Sequence, residues 1–179
     1  MGGAGIDKII VIDLETTCED QIGQELPREI IEVGVCLLDP GSGGITDQQS
    51  ILVKPAFSKV SDFCTKLTTL TREQVNSGIP FAEACVLLKD RYKTKRRVWA
   101  SYGDFDRNQF QRECTAKAVP YPFGPRHINV KTLFAIRHRL TQEVGMDKAL
   151  RRLGLELIGT HHRGVDDAYN VARILYTLI

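Results

Sequence analysis

The chain has 179 residues, 42% of them hydrophobic and 26% charged, with a formal net charge of +2. This is the composition of one globular domain with a sizeable core, and no apolar run approaches the length that a membrane span needs. Five cysteines, an odd number with no Cys-x-x-Cys pair, argue against a disulfide framework or a zinc site and for reduced thiols packed as small core residues. Residues 1–7 show neither a basic nor an apolar signal region, and Ile6 stands where a myristoylation motif needs Ser or Thr. The expectation is a short frayed tail at 1–7 followed by a single cytoplasmic domain over 8–179.

The first element is the stretch Lys8 to Thr17. Its apolar, β-branched run Ile9 to Ile12 reads as a strand buried on both faces, and it delivers Asp13 and Glu15 where the run stops. Alternate residues of a strand point to one side, so both carboxylates aim together while Leu14 faces away. Two carboxylates this close are costly to bury without a cation, and oxygen pairs of this kind suit hard divalent ions. After a polar loop over 19–27, residues 30–38 form a second apolar strand closed by the turn signal Asp39 to Gly44. A third strand over 45–53 ends before Pro55, which makes an antiparallel meander.

Helices then alternate with strands. Thr71 and Gln74 form a capping box that starts a short helix over 72–76. Helical spacing predicts further helices over 81–92, 105–117, 129–140, 146–153 and 165–179, with a strand over 98–102. A meander followed by this alternation reads as α/β, a mixed sheet flanked by helices. Charge is unevenly distributed. Residues 1–88 hold 6 Lys or Arg against 13 Asp or Glu, whereas residues 89–152 hold 16 against 6. The basic run fits either a solvated helix face or a surface for a phosphodiester backbone beside an acidic metal centre.

Two more acidic spots fall at element junctions. In Ser101 to Phe110, Asp104 reads as the helix N-cap and Asp106, in the first turn, as the chemical candidate. In Thr160 to Leu175, His162 and Asp167 share the spacing His-x4-Asp with His161 and Asp166 one residue earlier. The core face of the last helix leaves Asp167 beside the buried edge and Asp166 turned further out.

An Asp-x-Glu strand end, a mid-chain Asp and His-x4-Asp opening the last helix, in that order, resemble the DEDDh (DnaQ-like) 3′-to-5′ exonuclease superfamily. The signature maps onto Asp13, Glu15, Asp106, His162 and Asp167. Residues 28–39, 61–75 and 148–175 are similar to its RNA-directed branch, which includes the histone-mRNA 3′-exonuclease and the exonucleases that limit RNA interference. Phe105 departs from that branch, which has Trp there, and the expectation is a domain without an appended RNA-binding module.

The resemblance implies a ribonuclease H-like fold and two divalent cations, Mg²⁺ with Mn²⁺ as the alternative, about 4 Å apart. It implies that Asp13, Glu15 and Asp167 hold one ion, that Asp13 and Asp106 hold the other, and that His162 is the general base. It also implies that Phe63 stacks on the terminal base of a single strand, RNA favoured over DNA, and that the backbone near Leu14 and Thr16 holds the terminal ribose. Core packing is the competing reading of Phe63. The rival functions are a DNA-directed exonuclease of the same fold, an internally cutting nuclease, and a regulatory interaction protein that keeps the exonuclease shape.

Overall fold

The computed structural model describes residues 6–19 and 28–179; the tail before Ile6 and most of the loop expected at 19–27 lie outside them. Within the described residues six strands form one mixed sheet: β1 (Ile9–Thr16), β2 (Ile30–Leu38), β3 (Ile45–Lys54), β4 (Ile79–Pro80), β5 (Val98–Ser101) and β6 (His127–Asn129). Their order across the sheet is β4-β3-β2-β1-β5-β6. The meander β1–β2–β3 is antiparallel as expected, while β5 runs parallel to β1 and β6 parallel to β5.

Among the described residues seven helices cover the sheet: α1 (Asp62–Thr68), α2 (Arg72–Asn76), α3 (Phe81–Tyr92), α4 (Phe105–Ala116), α5 (Val130–Arg137), α6 (Met146–Arg152) and α7 (Gly164–Tyr176). None is long and apolar enough to cross a membrane among the described residues. The capping box of Thr71 and Gln74 is formed. The sequence reading omitted α1, whose cap is Ser61, and the three-residue β6; it also ran the helix of α5 on to residue 140.

The alternation of β1 sorts the core into two layers. Ile10, Ile12 and Leu14 pack with Phe81, Leu88, Trp99 and Phe110 on the face covered by α3 and α4. Ile9 and Val11 pack with Phe134, Val171 and Leu175 on the face covered by α5, α6 and α7. Asp13 and Glu15 continue this second row, so the same pleat that builds the core brings both acids under the start of α7. All five cysteines are free and four are buried, as expected of core thiols.

Two glycines set the closest approach. A Cβ on Gly34 of β2 would lie 1.9 Å from the backbone of Gly164, the first residue of α7. Helix and strand therefore touch backbone to backbone, a contact open only to glycine.

Candidate active site

The site lies where β1 runs out of partners. Pairing with β5 stops at Val11, and β2 slips register between Glu15 and Thr16. The open edge exposes the Leu14 N–H, which donates to Asp106 Oδ1 at 3.0 Å. Asp106, in the first turn of α4, is thereby fixed beside the residue that separates Asp13 from Glu15. Asp104 does occupy the N-cap position, but its side chain caps nothing and pairs with Arg107 at 2.9 Å.

Helix α7 brings the far end of the chain onto the same spot. Oxygens of Asp13, Glu15 and Asp167 lie within 4.8 Å of one another. Asp167 is buried and accepts the backbone N–H of His162 at 2.9 Å, with the ring of His161 at 3.1 Å. Asp166 turns outward and accepts the Thr160 N–H instead. The two histidine rings stack with centroids 4.0 Å apart, and His162 sits at a φ of 63°, the left-handed region. His161 and His162 are likewise within 4.8 Å of Asp167.

The acids have lost water without gaining a cation. Among the described residues, no Lys or Arg pairs with Asp13, Glu15, Asp106 or Asp167. Burial, then the charge of Asp167, pushes Glu15 up to about 9. Burial also drives Asp13 well above the carboxylate range, with Asp106, Asp167, Glu15 and Glu32 adding repulsion. Asp106 is raised by burial to about 7, although the N–H of Leu14 and the hydroxyl of Ser101 favour its charged form. Asp167 is raised by burial and eased by His161. Burial, then the neighbouring His161, lowers the His162 ring below the usual imidazole range, with Asp167 opposing. A converging, uncompensated set of hard oxygen donors fits a divalent cation.

Of the expected substrate contacts, Phe63 is 38% exposed on α1, which rules out plain core packing. The Leu14 N–H is already engaged by Asp106, and the Thr16 carbonyl accepts the Cys64 thiol at 3.5 Å. Lys93, Arg96 and Arg97, with Arg126, line a cavity of about 230 Å³ at the opposite end of β1 from the acids. Two features escaped the sequence reading. Glu32 is a fully buried acid inside the apolar run of β2, and its place there was the available signal. His127 packs against Trp99 and bonds Ser101, with no motif to mark it.

Residues 10–175 match the sequence profile of the family described as Exonuclease (RNase_T), and the chain belongs to that family. It is 30% identical over 184 residues to 3′-5′ exoribonuclease 1 of Homo sapiens, covering 97% of this chain and 52% of that protein. The chain thus spans about half the length of the curated relatives it matches first. The fold superimposes on the nuclease domain of 3′hExo, a DEDDh family member bound to rAMP, with a TM-score of 0.89 and 29% identity over 98% of this chain and 93% of that one. It is also similar to the 3′-exonuclease solved for 3′-end specific recognition of the histone mRNA stem-loop, with a TM-score of 0.86 and 28% identity over 98% and 82% of the two chains. The DEDDh resemblance read from the sequence and the ribonuclease H-like mixed sheet therefore both hold.

Proposed function

We propose that the chain is a metal-dependent 3′-to-5′ exonuclease that trims single-stranded RNA and releases nucleoside 5′-monophosphates. The observation that carries this reading is the meeting of Asp13, Glu15 and Asp167 within 4.8 Å, with His162 beside Asp167. RNA is favoured over DNA because the relatives include an exoribonuclease and an enzyme solved on a histone mRNA stem-loop.

Asp13, Glu15 and Asp167 would hold one divalent cation, and Asp13 with Asp106 a second, Mg²⁺ being the expected ion. Bound there, the cations supply Lewis-acid polarisation and charge neutralisation at the scissile phosphate. The protein's own part is positional and acid–base. His162 takes a proton from the attacking water, a new O–P bond forms, and the P–O3′ bond breaks, the departing 3′-oxygen taking a proton from solvent to leave a strand with a fresh 3′-hydroxyl while His162 gives its proton up to solvent. The His161 ring is held at Nδ1 by Asp167, itself a proposed cation ligand, whereas the His162 ring makes no hydrogen bond among the described residues. Phe63, exposed on α1, is available to stack on the terminal base. Free, mostly buried cysteines are in keeping with a cytoplasmic location.

The test is digestion of matched single-stranded RNA and DNA, each labelled at the 5′ end, with and without EDTA. A descending one-nucleotide ladder that needs divalent cation and forms faster on RNA is expected. Hydrolysis that survives EDTA, or internal cuts from the first time point, would refute the reading. His162→Ala should slow turnover by about 10²- to 10⁴-fold, the usual worth of a general base, with cation binding retained.

A further inference from the structure

Glu32 is completely buried in β2, opposite Glu15 in the strand register and on the same face of the sheet. A carboxylate in such a place is expensive unless its lone pairs are used. Here they are. One oxygen accepts Ser50 Oγ at 2.5 Å and the other accepts the Gly164 N–H at 2.9 Å, with the Arg163 guanidinium at 3.4 Å from each. Asp13 and Glu15 have no such donors among the described residues. Glu32 is therefore the satisfied acid beside an unsatisfied set.

The donor that matters is Gly164. The first N–H groups of a helix need outside acceptors, and negative charge is favoured at that end. Helix α7 has Arg163 at its N-cap position, and that side chain makes no capping bond. Glu32 supplies the missing acceptor from another element, two residues along β2 from the Gly34–Gly164 backbone contact. Glycine contact lets the start of the helix lie close, and the bond to Gly164 fixes its first residue against β2. Three residues further on is Asp167, whose N–H bonds Arg163 and whose carboxylate holds the His162 N–H.

We infer that Glu32 is a positioning residue: by fixing the start of α7 on β2, it sets where Asp167 and His162 stand over Asp13 and Glu15. The inference rests on the exonuclease reading and deepens it. Loss of the bond lets the start of α7 shift, so the cation set opens while the substrate-binding surface stays as it was.

The experiment compares Glu32→Leu, Glu32→Asp and Glu32→Gln in the intact chain. Readouts are kcat and KM on a 5′-labelled oligoribonucleotide well below the melting temperature, and a calorimetric Mn²⁺ titration without substrate. Leu removes the acceptor at similar size, and Asp keeps the charge but falls short of Gly164. Both should lower kcat and weaken Mn²⁺ binding by about 10- to 100-fold, the effect of losing a partner behind a metal ligand, with KM nearly unchanged. Gln keeps an oxygen for Gly164 and should recover most of both. Should Glu32→Leu not fold, Glu32→Asp alone decides. Wild-type kcat and Mn²⁺ affinity in Asp, or a Gln no better than Asp, would overturn the inference while leaving the exonuclease reading intact. A wild-type protein that shows no cation-dependent trimming would overturn both.

Discussion

Two groups of buried carboxylates lie on this sheet, and they have opposite fates. At the β2–α4 junction, Glu29 accepts the N–H groups of Ala56, Phe57 and Ser58 and shares Lys117 with Glu113, which also takes the Ile30 N–H. Burial works against the charge of Glu29, yet Lys117 and the three N–H groups hold it down at about 2. At the end of β1, the same kind of side chain finds no cation, and Glu15 is driven up to about 9. Desolvation is common to both. What differs is whether the fold supplies the counter-charge itself or leaves it to be brought from outside, and only the second arrangement can do metal-assisted chemistry.

The contrast can be broken most sharply at the acids without partners. Asp167→Asn should reduce trimming by about 10³-fold, since a polarising cation is worth several kcal/mol in the transition state. The same change should raise the melting temperature of the cation-free protein, because one repelling charge is gone. Calorimetry in EDTA beside a single-turnover assay measures both, and a variant that is inactive because it is unfolded would contradict the comparison. At the other group the signs reverse. Lys117→Met leaves Glu29 and Glu113 facing each other without their cation and should cost about 3–5 kcal/mol of stability. Its kcat per folded molecule should stay within twofold. Urea unfolding and active-site titration together decide this.

The pH dependence sharpens the comparison further. Glu15 in the folded, cation-free protein holds its proton up to about 9, whereas the unfolded chain releases it near its ordinary value of 4.5. Between those values the folded state binds more protons, so stability in EDTA should fall as pH rises from about 5 to about 9. Glu29, held at about 2, acts on the other side, and its contribution is lost as pH falls from about 4.5 to about 2. Cation-free stability should therefore peak near pH 5, and saturating Mg²⁺ should flatten the alkaline arm. Thermal melts across pH test this, and a rising alkaline arm in EDTA would be decisive against it. The smallest effect is expected at His161→Ala, which removes a hydrogen bond to Asp167 from a 41% exposed side chain; turnover should fall less than tenfold. If His161→Ala is instead the inactive variant, the base is one residue earlier than assigned.

Local pattern explains what could be read from the sequence. Apolar runs fix β1 and β2, the two-residue pleat fixes the common aim of Asp13 and Glu15, and the core stripe of α7 separates Asp167 from Asp166. Helix α1 escaped because it has seven residues and buries only Cys64 and Thr68, too little for a periodic signal. The Glu29–Lys117 pair joins residues 88 apart, and no local rule connects them. Charge counts along the chain carry no position for the Lys93–Arg97 cluster; the parallel pairing of β1 with β5 sends residues 93–97 to the end of the sheet opposite the acids. Glu32 was visible as an acid in an apolar run, but its role depends on Gly164, 132 residues away.

That separation has a consequence for biosynthesis. Strands β1 to β3, which carry Asp13, Glu15 and Glu32, are made first, whereas Asp167 and His162 arrive with the last helix. A growing chain can lay down its sheet with the acids in place and still lack a complete cation set until α7 seats against Gly34.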